Sequence, residues 1–176
     1  MDLLVPLMRL DLSVGEDLKR LAAEGISIKR AHPVNSGAVY DFVEENFSKG
    51  WRNEVGACFA HPVPTCYIAV KDKKVIGFAA YEATAPDFFG PIGVKAEERK
   101  KHIGVVLSRL CFASMREMGY GYAIIGWAAH SAHEFYAKQF GAIDIPDSEP
   151  ENSVYANLMQ LDADPFLPAG KAENAE

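Results

Sequence analysis

Residues 91–107, PIGVKAEERKKHIGVVL, form the stretch that decides the fold of this chain. The pattern predicts a strand, then a turn that carries Arg99, Lys100 and Lys101, and then an amphipathic helix that follows without a linker. The first turn of a helix has backbone N–H groups without intrahelical partners, and the helix dipole favours an anion there. With three cations and Gly104 added, the junction favours a pyrophosphate site; the alternative is a solvated basic turn.

The segments on either side of this turn extend the pattern. The helix has one apolar stripe with spacings of three and four residues, and Gly119 is a typical stop. The stripe consists of Ile103, Val106, Leu107, Leu110, Cys111, Met115 and Met118. Upstream, residues 88–94 (FFGPIGV) predict a bulged or partly paired strand, because Pro91 has no N–H to donate and glycine permits close approach.

Helices and strands alternate through the rest of the chain. One helix is predicted to begin at Asn35 or Ser36. A second helix is predicted from Ser131 to Gly141, because Ser131 and Glu134 have the spacing of a capping box. Residues 49–59 (KGWRNEVGACF) are a short helix or a structured loop. Strands are predicted at Ile26–Arg30, Cys66–Lys71, 75–82, 122–127 and 152–161. This order predicts an α/β sandwich around a mixed sheet.

The composition limits the class of protein. An apolar fraction of 49% with 24% charged residues is typical of a packed soluble domain, and no run of eighteen apolar residues predicts a membrane span. The net charge of −6 argues against a nucleic-acid partner. No secretory signal is evident, so we expect a cytoplasmic protein, and three cysteines suit reduced thiols.

The length favours one domain. We expect residues 1–161 to form it, with residues 1–25 leading into it and residues 162–176 as a weakly ordered C-terminal tail, because that tail is rich in Pro, Ala and charge.

The basic junction resembles the coenzyme-binding motif of the GNAT acetyltransferases, [RQ]-x-x-G-x-[GA]. Arg99 matches its first position and Gly104 its last. His102 stands where the family usually has its first glycine, so a side chain lies where the backbone normally approaches phosphate. This departure lowers the affinity that we expect for the coenzyme, but the main-chain donors remain.

Two further segments carry the resemblance. In the family a strand precedes the motif and pairs with the pantetheine arm of the coenzyme, and residues 92–94 match it. The segment 130–142, HSAHEFYAKQFGA, is similar to the family's helix with an aromatic–tyrosine pair before a glycine, and Tyr136 falls on the tyrosine that faces the coenzyme sulfur. The resemblance covers about residues 66–161, and WRNE (51–54) and FFGPIGV are similar to bacterial members.

The resemblance implies a three-layer α/β/α sandwich with a central mixed, splayed β-sheet. It implies an N-acetyltransferase that moves an acetyl group from acetyl-CoA, its co-substrate, to a primary amine. The coenzyme-binding residues that it implies are Ile92, Gly93, Val94, Arg99, Lys100, Lys101, His102, Ile103, Gly104 and Val105.

The family's reaction assigns roles to several residues. The amine attacks the thioester directly in a ternary complex, and a strand N–H, best placed at Val94, stabilises the oxyanion. Tyr136 is the expected general acid for the leaving thiolate; the alternative for it is a core aromatic beside Phe135 and Phe140. Glu82 and Asp87 are candidates for the general base, and ordinary surface carboxylates are the alternative.

The acceptor site is less defined by the sequence. Glu54, near Trp51, is a candidate for binding a cationic acceptor, and Trp127 is a further substrate-binding candidate. The acceptor is either a small-molecule amine or a protein amine, and a homodimer is one candidate assembly. Room around Phe88, Phe89 and Trp127 would instead suit a longer acyl chain.

Two other interpretations compete with this one: a metal site and a non-catalytic binding module. Cys58, His61 and Cys66 have loosely metal-like spacing, but a structural zinc requires four ligands, so we predict no metal. The competing function is a non-catalytic acyl-CoA-binding regulatory module that keeps the pyrophosphate site and lacks acceptor chemistry.

Overall fold

The structure is a computed structural model that describes residues 1–159, apart from the side chains of residues 130 and 131. Its strands are Leu3–Pro6 (β1), Ile26–Arg30 (β2), Cys66–Lys71 (β3), Lys74–Tyr81 (β4), Phe89–Val94 (β5), Tyr122–Ile125 (β6) and Ile143–Asp144 (β7). Its α-helices are Gly15–Ala23 (α1), Ser36–Asn46 (α2), Lys49–Cys58 (α3), Ile103–Glu117 (α4) and His130–Phe140 (α5).

The strands form two antiparallel sheets with the orders β2-β3-β4-β5 and β6-β1-β7. Among residues 1–159, an isolated parallel bridge between Phe88 and Ile124 joins them. Beyond this bridge β5 and β6 separate, and a register shift opposite Ala79 and Tyr81 marks the bulge predicted around β5. The sheet is therefore splayed between β5 and β6.

Helices cover both faces of the larger sheet. Helices α2 and α3 pack on β4 from one side, and α4 packs on β3, β4 and β5 from the other. Strand β4 supplies both cores because successive side chains point to opposite faces: Phe78 faces α2 and α3, whereas Ala79 lies in the core beneath α4. The result is the three-layer sandwich that the sequence predicts.

Local residue chemistry accounts for several elements. Asp72 and Lys73 both have positive φ angles, of 49° and 62°, which allows the tight turn between β3 and β4. The hydroxyl of Ser48 accepts a hydrogen bond from the Trp51 N–H at 3.1 Å, so residues 49–59 begin as the capped helix α3 rather than as a loop. Gly141 ends α5 in the left-handed conformation, as predicted.

The expectation for α5's start is wrong in detail. Ala129 occupies the N-cap position and the helix begins at residue 130, so Ser131 lies within the first turn and cannot head a capping box.

The chain termini differ most from the prediction. Residues 1–25 contain β1 and α1, and β1 lies between β6 and β7 with Leu3 opposite both Ile125 and Asp144. The strand predicted at 152–161 is wrong across the described residues, where 3-10 helices lie at Pro150–Asn152 and Val154–Asn157. The N-terminal strand pairs with β6 along its whole length and so occupies one edge of β6. Residues 160–176, including the predicted tail, lie outside the described residues.

Within residues 1–159, no helix combines the length and the apolar character needed to cross a membrane.

Candidate active site

The N-terminus of α4 forms one end of the candidate site. His102 is its N-cap residue and has φ 61°, a left-handed conformation that favours glycine. The His102 side chain makes no capping hydrogen bond to the first N–H groups of the helix. The N–H groups of Ile103, Gly104 and Val105 therefore keep the donor capacity that an anion uses at a helix start.

A cavity of about 390 Å³ opens at this helix end. Strand β5, the basic turn, α4 and α5 all contribute to its wall. The lining residues are Val94, Glu98, Arg99, Lys100, His102, Ile103, Gly104, Val105, Phe135 and Gln139. The structure thus brings together most of the residues predicted to bind the coenzyme.

Lys101 is an exception. Its Nζ lies 2.7 Å from Glu98 Oε2 and 3.9 Å from Glu24 Oε2, and Arg20 donates a hydrogen bond to its carbonyl oxygen at 3.1 Å. Lys101 therefore ties the basic turn to α1 and lies outside the cavity lining. Arg99, by contrast, lines the cavity and donates from Nε to the Val94 carbonyl at 3.2 Å.

The backbone of β5 faces the gap at alternate residues. Lys95 N–H donates to Ile76 of β4 at 2.8 Å, and successive N–H groups of a strand point to opposite edges. The N–H groups of Ile92 and Val94 therefore point away from β4, toward the separation between β5 and β6. This edge suits the pantetheine pairing and the oxyanion contact expected of this strand.

Gly93 lies against the aromatic side chains of α2 and α3, and its predicted contact with the coenzyme stays a prediction. A Cβ atom at this position would collide with the ring of Phe47, which stacks on Trp51 with 5.4 Å between ring centroids. The missing side chain therefore makes room for the aromatic layer of α2 and α3. Trp51 belongs to this layer, where it also contacts Phe78.

Tyr136 is a residue of α5, and its side chain points into the hydrophobic core. It is 5% exposed, and its ring packs between Phe89, Phe135 and Phe140 with centroid distances of 5.0 to 6.3 Å. Burial raises the pKa of Tyr136 far above its usual range. Its helical neighbour Phe135, rather than Tyr136, lines the cavity at α4. The acid role of Tyr136 stays a prediction.

Glu82 and Asp87 lie at the bridged end of the gap. The Tyr120 hydroxyl donates a short hydrogen bond to Glu82 Oε1, and the Asp87 carbonyl accepts from Ile124 N–H at 2.9 Å. Burial, reinforced by the charge of Glu82, raises the pKa of Asp87 to about 6. Among the described residues, Asp87 Oδ1 is a buried atom without a hydrogen-bond partner. Their role as general base also stays a prediction.

A second polar cluster lies on the α2–α3 side of the gap. The Thr84 hydroxyl donates a short hydrogen bond to Glu54 Oε1. Trp127 packs on Tyr155 with 5.5 Å between ring centroids. Glu54 and Trp127 are both predicted to contact substrate, and that role stays a prediction. Tyr155 lies in a segment where the sequence pattern predicts a strand, so its position in a 3-10 helix had no sequence signal.

The cysteines do not form a metal centre. Cys58 and Cys66 are buried, and burial raises the pKa of both thiols, which disfavours the thiolate form that binds metal. Among the described residues, no group of three or more His, Cys, Asp or Glu side chains is arranged to hold a metal ion.

A comparison with protein families matches residues 35–142, more than half of the chain, to the acetyltransferase (GNAT) family. The chain belongs to the GNAT acetyltransferase family. Membership confirms the family that the sequence predicts. None of the curated proteins is significantly similar to the chain in sequence.

Solved GNAT structures confirm the fold. The GCN5-related glucosamine N-acetyltransferase region of a fungal multi-domain GH3 β-N-acetylglucosaminidase has a TM-score of 0.62 at 16% identity, over 81% of this chain and 19% of that one. A GCN5-related N-acetyltransferase from Sphaerobacter thermophilus has a TM-score of 0.59 at 18% identity, over 81% and 47%. A GNAT acetyltransferase from Brucella melitensis, in complex with acetyl-CoA, has 0.50 at 18%, over 62% and 80%. The chain thus spans less than half the length of the first two.

Proposed function

We propose that this GNAT protein transfers an acetyl group from acetyl-CoA to a primary amine by direct attack in a ternary complex. The observation that carries the proposal is the continuous path from the uncapped start of α4, along the outward N–H groups of β5, to the gap beside β6. The diphosphate fits the helix start, and the pantetheine arm fits the β5 edge. The Brucella relative, whose structure contains acetyl-CoA, has the same fold.

In this proposal the coenzyme and the amine acceptor bind on opposite sides of the gap. The cavity at α4 and α5 lies on the coenzyme side, whereas Trp51 and Glu54 belong to α3 on the other side, where the amine acceptor would enter. In the reaction the Val94 N–H stabilises the oxyanion, and Tyr136 is the proposed acid for the thiolate. The chemistry of the acceptor side, a carboxylate beside aromatic rings, suits an ammonium group.

Coenzyme binding is the first test. Arg99→Ala and Lys100→Ala each remove a cation that lines the cavity, so each should weaken acetyl-CoA binding about tenfold in calorimetry. The matched control is Lys101→Ala, because Lys101 pairs with Glu98 and Glu24 outside the cavity. Equal losses in all three variants would show a general charge effect and contradict the site.

Turnover is the second test. Acetyl-CoA-dependent thiol release is measured over a panel of primary amines, and Tyr136→Phe should lower kcat while sparing coenzyme binding. Normal turnover in that variant would make Tyr136 a core residue alone. Coenzyme binding without turnover of any amine would instead support the non-catalytic binding module.

A further inference from the structure

The cavity at the start of α4 has one wall to which neither the diphosphate nor the pantetheine arm has been assigned. Phe135 and Gln139 of α5 form this wall, and their spacing of four residues places them on the same face of the helix. The other lining residues come from β5, the basic turn and the first turn of α4, where parts of the coenzyme are already expected. Helix α5 therefore adds two side chains of different chemistry to the same cavity.

Phe135 presents a fixed aromatic surface in this cavity. Its side chain is partly buried and packs against the core, with 5.0 Å between its ring centroid and that of Tyr136, and 5.9 Å to that of Phe140. Both ring pairs are edge-to-face, so the core holds the orientation of the Phe135 ring. An aromatic ring that is held by the core and lines a cavity suits stacking with a planar base.

Gln139 supplies hydrogen-bonding groups beside that ring. Its side chain is partly buried, and within residues 1–159 its amide has no hydrogen-bond partner. A glutamine amide contains one accepting oxygen and two N–H donors, and it can pair with adenine through the exocyclic amine and a neighbouring ring nitrogen. The ring and the amide together match the face and the edge of a purine.

The order of groups in the coenzyme agrees with this position. The diphosphate of coenzyme A joins the pantetheine arm to the adenosine, so these two parts extend from opposite ends of the diphosphate. In the proposed function the arm extends along the outward N–H groups of β5, whose residue Val94 also lines the cavity. The adenosine then extends away from β5, and the wall of α5 is the part of the lining that can receive it.

We propose that Phe135 and Gln139 form an adenine subsite, in which the base stacks on the Phe135 ring and the Gln139 amide hydrogen-bonds to its amino edge. The inference rests on the proposed function and adds the contacts that select the adenosine part of the donor. The competing interpretation is that Phe135 is a core residue that only closes the cavity. In that case the loss of its ring would affect all donors alike.

The test compares two donors that differ in the adenosine part. Acetyl-CoA contains this part, whereas acetyl-4′-phosphopantetheine ends at the first phosphate and lacks the adenine, the ribose and the 3′-phosphate. Phe135→Leu removes the ring but keeps an apolar side chain, so it should weaken acetyl-CoA binding about tenfold in calorimetry and leave the truncated donor little changed. Phe135→Trp keeps an aromatic face and should retain acetyl-CoA binding.

Gln139 is tested separately. Gln139→Leu should weaken acetyl-CoA binding about fivefold, again with little change for the truncated donor. A donor that contains hypoxanthine has an oxygen where adenine has its amine. This exchange should weaken binding to the wild-type protein about fivefold and have little effect on binding to Gln139→Leu, which no longer has the amide.

The control is Glu134→Gln on the exposed side of α5, which should leave the binding of both donors unchanged. A loss limited to acetyl-CoA supports the subsite and does not arise from misfolding, since misfolding would affect both donors. Similar losses for both donors in Gln139→Leu, or equal affinity of the wild-type protein for the two donors, would overturn the subsite while the proposed function stands. A wild-type protein that binds neither donor would overturn both.

Discussion

Single residues in this protein take backbone conformations that their side chains do not favour. Glu82 and Asp87 have φ angles of 54° and 67°, and His102 has 61°. Non-glycine residues in this region cost free energy, and such positions concentrate at functional sites. All three lie along the proposed path of the coenzyme: His102 at the helix start, and the two carboxylates at the bridged end of the gap.

Asp87 gives a prediction at this scale. Its folded pKa of about 6 exceeds the value of 3.8 in an unfolded chain. Its contribution to stability is therefore fully present below pH 4 and is lost as the pH rises through 6. We expect Asp87→Asn to gain about 1 kcal/mol of unfolding free energy, relative to wild type, between pH 4 and pH 7.5; the value is reduced for solvent screening.

Urea denaturation at several pH values measures this difference. Asp147→Asn is the matched control, because Asp147 is exposed and also has a positive φ angle, of 55°. A pH-independent gain in Asp87→Asn, equal to that of the control, would show that only the backbone preference of asparagine had changed.

At the scale of elements, the N-terminal strand joins the site to the rest of the smaller sheet. Strand β1 pairs with β6 and β7, and the Asp2 backbone N–H donates to the Ser148 hydroxyl at 2.8 Å. The Asp2 side chain meanwhile binds the loop after β6 and the segment that carries Tyr155. One residue at the start of β1 thus positions two elements on the acceptor side.

Asp2→Ala should therefore lower both stability and turnover. It leaves the Trp127 N–H without its charged acceptor, and we expect a loss of about 2 kcal/mol in the free energy of unfolding. Asp2→Asn keeps an accepting oxygen and should recover part of that loss. Urea denaturation measures the stability, and a variant as stable as wild type would show that Asp2 does not anchor the loop.

At the scale of the whole molecule, one hydrophobic core contains residues of both sheets, although their strands are bridged at Phe88 and Ile124 rather than paired along their length. Their strands meet at the bridge between Phe88 and Ile124. The chain continues from β5 of the larger sheet into α4, and from β6 of the smaller sheet into α5. A ligand bound along the gap between β5 and β6 would contact both sheets. Coenzyme binding is therefore expected to stabilise the molecule as a unit.

Thermal unfolding tests this expectation. Acetyl-CoA at a hundredfold excess over its dissociation constant should add about 2.7 kcal/mol, which corresponds to roughly 5–11 °C in Tm for a chain of this size. Hydrogen exchange should slow in both β5 and β6. Protection confined to the start of α4 would show that the ligand contacts the pyrophosphate site alone.

The sequence by itself determined the family, the central elements and the coenzyme end of the site. Helix α4, strands β3 and β4 and the basic turn follow from local patterns: apolar spacing and clustered charge. These signals act over a few residues, so they are visible without the fold. The resemblance at Arg99 and Gly104 added the coenzyme.

Only the tertiary structure decided the acceptor side and the chain ends. The position of β1 between β6 and β7, and the loss of the strand expected at 152–161, depend on pairings between residues more than a hundred positions apart. Lys101 was assigned to the coenzyme by its charge, yet its contacts with Glu24 and Glu98 depend on how α1 packs. Thr84 reaches Glu54, and Tyr155 reaches Trp127, only because the chain folds, and such long-range contacts leave no periodic signal in the sequence.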